Sequence, residues 1–120
     1  MGNPFVHVEL STTDVSKAKT FYSQLFDWKM EDMKMPGGDY TMLGVGDGTG
    51  GGLTLQSMPG APSMWMAYVQ VDDMDAAVRK VRALGGTVMQ DTTEIPGMGW
   101  FAVIVDPTGA MLGLWQPKKG

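Results

Sequence analysis

The chain contains no cysteine. Disulfides, thiolate metal sites and cysteine nucleophiles are thereby excluded together, and the composition suits a reducing cytoplasm, the expected location. Histidine occurs once, at position 7. A Ser-His-Asp arrangement cannot be built, because that imidazole has no identifiable nucleophile partner. Long apolar runs are missing too: none approaches the roughly 20 residues needed to span a bilayer. The N-terminal stretch lacks the basic and apolar signature of a secretory signal, so none is expected. Positive charge is also scarce, with 9 Lys and Arg against 13 Asp and Glu for a net charge of −4. Nucleic acid and anionic membranes are therefore not expected partners, and a cationic or neutral small molecule is.

What is present describes one folded domain over residues 1–120, with 43% hydrophobic and 18% charged residues. Its 12 methionines serve as adaptable core filler or as the lining of a compliant apolar pocket. Phe5-Val6-His7-Val8-Glu9-Leu10 alternates with the period of a half-buried strand, His7 and Glu9 on one face and the aliphatic residues on the other. Ser11-Thr12-Thr13-Asp14 then offers helix-capping chemistry, and Val15, Ala18, Phe21, Tyr22, Leu25 and Phe26 fall at helical spacing. The spacing predicts core positions for Phe21, Tyr22 and Phe26. Strands are expected over 27–33, 39–45 and 51–56, with Pro36-Gly37-Gly38 closing the first. The glycine-rich run from Gly44 to Gly52 lacks the Lys-Ser/Thr ending and following helix of a phosphate loop, and reads as a hairpin turn.

The second half repeats the first. Asp14 maps to Asp73, Ala18 to Ala77, Leu25 to Leu84, Leu53 to Leu112 and Leu55 to Leu114, each 59 positions on. The pattern predicts two tandem βαβββ modules, over 4–57 and 65–117 with a linker at 58–64. In the second module, strands are expected over 65–71, 87–90, 100–105 and 110–116, and a helix carries Met74, Ala77, Val78, Val81 and Leu84. Residues 91–99 read as a long loop, a candidate lid or rim. The fold class is α+β, with curved mixed sheets around a cup and helices outside. Strand parity places His7, Glu9, Thr54, Gln56, Met66, Tyr68, Gln70, Met111, Gly113 and Trp115 on the faces away from the helices. That mixture of polar, aromatic and flexible side chains suits the wall of a ligand cavity. Trp100 follows the long loop, and it and Trp115 are candidates to stack a planar ligand.

Several phrases carry a resemblance: His7 seven residues before Asp14, Phe21-Tyr22, Val71-Asp72-Asp73, Met98-Gly99-Trp100, Asp106-Pro107-Thr108-Gly109 and Gly113-Leu114-Trp115-Gln116-Pro117. Together with the tandem βαβββ order they resemble the vicinal oxygen chelate superfamily of glyoxalases, bleomycin-resistance proteins and extradiol dioxygenases, and its bacterial glyoxalase-related subgroup. The resemblance covers essentially the whole chain. It implies a divalent metal held at His7, Thr54, Met66 and Gly113. Of these only His7 is a strong ligand, since Thr54 is a poor donor, Met66 a soft one and Gly113 none at all.

The expected function is accordingly that of a small-molecule-binding protein with a degenerate metal site and no cofactor, its ligand met by Gln56, Met66, Tyr68, Gln70, Trp100 and Trp115. The alternative is a metal-dependent, glyoxalase-related lyase or isomerase, with His7 and Glu9 as catalytic base and partner and His7 as the metal ligand. A purely structural domain is a third reading. The resemblance further implies a homodimer, with modules matched within one chain or across two.

Overall fold

The computed structural model describes residues 2–35 and 38–119; the expected turn at Pro36-Gly37 lies outside them. The order is β1 (Phe5–Thr12), α1 (Val15–Leu25), β2 (Lys29–Met35), β3 (Gly38–Gly44) and β4 (Gly51–Leu55). The same order then recurs as β5 (Met64–Gln70), α2 (Met74–Ala83), β6 (Thr87–Ile95), β7 (Gly99–Val105) and β8 (Met111–Pro117). The class is α+β with mixed sheets, as the repeat predicts. The chain forms two compact units, His7–Met66 on one hand and Met1–Val6 with Ala67–Gly120 on the other.

In the first unit the strands lie in the order β2-β3-β4-β1. The β1 and β4 pair is parallel, with Glu9 opposite Gly52, and the other neighbours are antiparallel. One face is sealed by α1: Leu10, Leu43 and Leu53 are buried against Val15, Ala18 and Tyr22, with Trp28, Met30 and Val45 around them. Leu53, at 1% exposure, alone contributes about 1.5–3 kcal/mol of burial. The helix starts where the Asp14 carboxylate accepts the Lys17 N–H at 3.0 Å. It stops at Phe26, whose backbone is extended and whose N–H still reaches the Tyr22 carbonyl.

The second unit has the order β5-β8-β7-β6, with β5 and β8 parallel. Met74 and Val78 of α2 bury against Ala102 and Leu114. Asp73 repeats the role of Asp14, its carboxylate accepting the Ala76 N–H at 3.1 Å. The Met74 N–H, a second donor of that first turn, goes to Gln116 Oε1 at 2.7 Å. Caps of this kind are worth about 1 kcal/mol each.

Two expectations are corrected. Most of residues 91–99 is strand, not loop: β6 continues to Ile95, and Glu94 and Ile95 pair with Trp100 and Gly99 across a short turn. Breaks in register on either side of Gln90 scramble the alternation that would have marked it. Phe21 of α1 and Phe26 just past its end are not core, being 57% and 44% exposed. Only Tyr22 of the three belongs to the packed cluster.

Candidate functional site

His7 and Glu9 leave β1 on the face away from α1, because their neighbours in the alternation include the buried Leu10. The next strand, β4, presents Gly52 beside Glu9, and beyond it β3 presents Met42 beside Gly52. Tyr40 shares Met42's face. Its ring lies back across β4, and a Cβ at Gly52 would run into the ring and its hydroxyl. Glycine at 52 thus leaves the space through which a β3 side chain reaches β1.

There the phenol links the two site residues. The Tyr40 hydroxyl donates to Glu9 Oε1 at 2.9 Å, and its oxygen stands 2.7 Å from His7 Nε2. With its proton given to Glu9, the phenol oxygen is an acceptor, so Nε2 carries the imidazole proton and donates to it. The His7 and Tyr40 rings are nearly parallel, with centroids 6.2 Å apart. Burial pushes the His7 pKa below its ordinary value of 6.5, which favours the neutral imidazole. The result is a partly buried chain of imidazole, phenol and carboxylate.

Tyr40 is the residue that the sequence reading missed. The available signal was its parity in β3 together with a glycine at the matching place in β4. Using it required knowing which strands are neighbours.

The remaining candidates are distributed as follows. Gln56 is spent on the linker: its Nε2 donates to the Pro62 carbonyl at 2.9 Å and its Oε1 accepts the Met58 N–H at 3.1 Å. Met66 is half-buried near the start of β5. Tyr68 is buried, 6% exposed, with its ring over Gly113, where a Cβ would strike it. Gln70 is half-buried, and its backbone is held by Pro4 and Asn3. Trp115 is half-buried opposite Phe101 on the neighbouring strand. Trp100 packs on the helix-side cluster of the second unit and lies under the Lys118 ammonium at 5.5 Å.

The four positions that the resemblance implies for a metal do not offer a donor set suited to a divalent ion. Thr54 directs its hydroxyl at the Asp39 carbonyl, 3.4 Å away, and the Tyr68 ring covers Gly113. Met66 supplies only a thioether, and His7 Nε2 is engaged with Tyr40. Among the described residues, no group of three His, Asp or Glu side chains could hold a metal ion.

A second concave feature lies on the helix side of the first unit. It is a hollow of about 370 Å³ walled by Tyr22, Phe26, Trp28 and Trp65 over Val8 and Gly51. Trp65 Nε1 donates to the Tyr22 hydroxyl at 3.3 Å. None of its aromatic residues was expected to line a site.

A glyoxalase-like domain model matches residues 7–114. Among curated proteins, CFP32 of Mycobacterium tuberculosis, whose name assigns it provisionally to the glyoxylases, is 42% identical over 118 residues, 93% of this chain and 45% of that protein. The anthracycline biosynthesis protein DnrV of Streptomyces peucetius is 28% identical over 123 residues, again spanning 90% of this chain and 45% of its own length. The chain thus spans about half the length of the curated relatives it matches. Among solved structures, a hypothetical protein from Bacillus halodurans superposes with a TM-score of 0.76 at 14% identity, covering 100% of this chain and 98% of that one. The methylmalonyl-CoA epimerase of Mycobacterium tuberculosis does so with a TM-score of 0.71 at 15% identity, over 96% and 88%. No described helix is long and apolar enough to cross a membrane.

Proposed function

Since this chain belongs to the glyoxalase-like domain family, we propose that it binds a small molecule over the His7–Tyr40–Glu9 face without a resident metal, in the manner of a drug-sequestering or carrier protein. The observation carrying this reading is the hydrogen-bonded phenol between imidazole and carboxylate. A polar centre of this kind, flanked on the sheet face by Met33 and Met42, offers orienting hydrogen bonds within an adaptable apolar surround.

A lyase or isomerase reading has one observation in its favour. The same chain could pass a proton between His7 and Glu9, the two groups first expected to be catalytic, with Tyr40 between them. It is the second reading because, among the described residues, no group of three His, Asp or Glu side chains accompanies it.

Thermal melts test the metal-free reading. Wild type and His7→Ala are each treated with chelator, then with Ni, Zn, Mn and Fe(II) salts. No shift in wild type is expected. Stability lost to chelator and restored by one metal in wild type but not in His7→Ala would overturn it. Turnover of a hemithioacetal in chelator, abolished by Tyr40→Phe, would favour the second reading.

A further inference from the structure

We propose that the helix-side hollow of the first unit is a second binding site, taking a small organic cation with an apolar body, such as a quaternary or aromatic ammonium compound. It lies on the sheet face opposite His7, since Val8 lines it while the neighbouring residues His7 and Glu9 project the other way. The proposal is independent of what the His7 face does.

The walls are aromatic and set at angles to one another. Tyr22 and Trp28 stack with centroids 5.7 Å apart, and Trp65 stands edge-on to both, at 5.5 and 6.2 Å. Phe26 closes the side at 4.8 Å from Trp28. Packing among these rings and the Tyr22–Trp65 hydrogen bond hold the walls in place. The volume, about 370 Å³, falls within the ~300–1,000 Å³ of small-molecule pockets. Ring faces attract cations through their quadrupole, and tryptophan does so most strongly.

Acidic residues next to the lining in sequence select the sign. Asp27 is exposed and sits between the lining residues Phe26 and Trp28, while Asp47 is exposed in the turn joining Val45 to Thr49, which also line the hollow. Among the described residues no ion pair engages either carboxylate. The net charge of −4 adds to the same field. An apolar aromatic wall adjoined in sequence by Asp27 and Asp47, with Lys29 as the one ammonium among those neighbours, matches a ligand that is greasy at one end and positive at the other.

The test is tryptophan fluorescence titration with benzyltrimethylammonium and with neopentylbenzene, its neutral carbon isostere. Saturable quenching by the cation is expected, with affinity at least about fivefold above the isostere. The Asp27→Asn/Asp47→Asn double variant should narrow that preference while binding the isostere as before. Trp65→Ala should weaken the cation about tenfold while still melting cooperatively, since Trp65 is 42% exposed. Equal affinity for the two compounds overturns the proposal. So does absence of saturation, or a Trp65→Ala protein whose mass in solution halves, which would assign the hollow to contact between copies.

Discussion

A phenol has one proton to give, and Tyr40 gives it to Glu9, so its oxygen must be fed by His7. Protonating His7 adds a charge to a partly buried ring, and burial already holds its pKa down. The sign of the resulting linkage follows. Well above pH 6.5 neither folded nor unfolded His7 carries a proton, and no penalty exists. As pH falls from 6.5 towards the lowered native value, the unfolded chain takes up a proton that the folded chain resists, and stability is lost. Urea midpoints measured at pH 7.5, 6.5 and 5.5 should therefore decline below 6.5 in wild type and stay flatter in His7→Gln. Asp32 and Asp106 are both held below their ordinary 3.8 by hydrogen bonds, so their own loss comes at more acid pH and does not blur this window. Gly52→Ala should displace the Tyr40 ring and destabilise the fold by about 1–3 kcal/mol, seen as a lowered urea midpoint with unchanged slope. His7 and Glu9 were legible from alternation in one strand. Tyr40 was not, because its role depends on a neighbour two strands away and on a glycine between them.

Elements repeat more faithfully than the contacts that finish them. Asp14 and Asp73 cap α1 and α2 alike, and both were readable as caps from local sequence. Gln116 was not, since its amide oxygen reaches Met74 from 42 residues away. Removing it in Gln116→Ala leaves that helix N–H without its acceptor, at a cost of about 1 kcal/mol and a few degrees of melting temperature. Hydrogen exchange should speed up most at Met74 and fade along α2; a uniform change across the second unit would contradict a capping role. The β6 misreading has the same origin. Gln90-Asp91-Thr92-Thr93-Glu94 is polar throughout, and shifts in register break its period, so only pairing with β7 reveals it as strand. In α1 the helical spacing was right and the burial wrong: a sheet face covered by one helix seals a narrower stripe than the apolar residues supply.

At the scale of the molecule, the surplus apolar surface asks for a partner. Phe21 and Leu25 lie one turn apart on α1 and are 57% and 54% exposed. At 100° per residue they stand about 40° apart around the helix, and the Phe21 ring lies edge-on to Tyr22 with centroids 5.0 Å apart. Single exposed apolar side chains are ordinary, but adjacent ones on one helix mark a contact surface. A second copy of the chain would cover such a flank. We propose that it does, in a homodimer. Sedimentation at micromolar concentration should give twice the 12.9 kDa chain mass. Phe21→Glu/Leu25→Glu should give a folded monomer, read as half the wild-type mass at the same concentration. A wild-type monomer would remove the partner, and a double variant that still pairs would move the interface elsewhere.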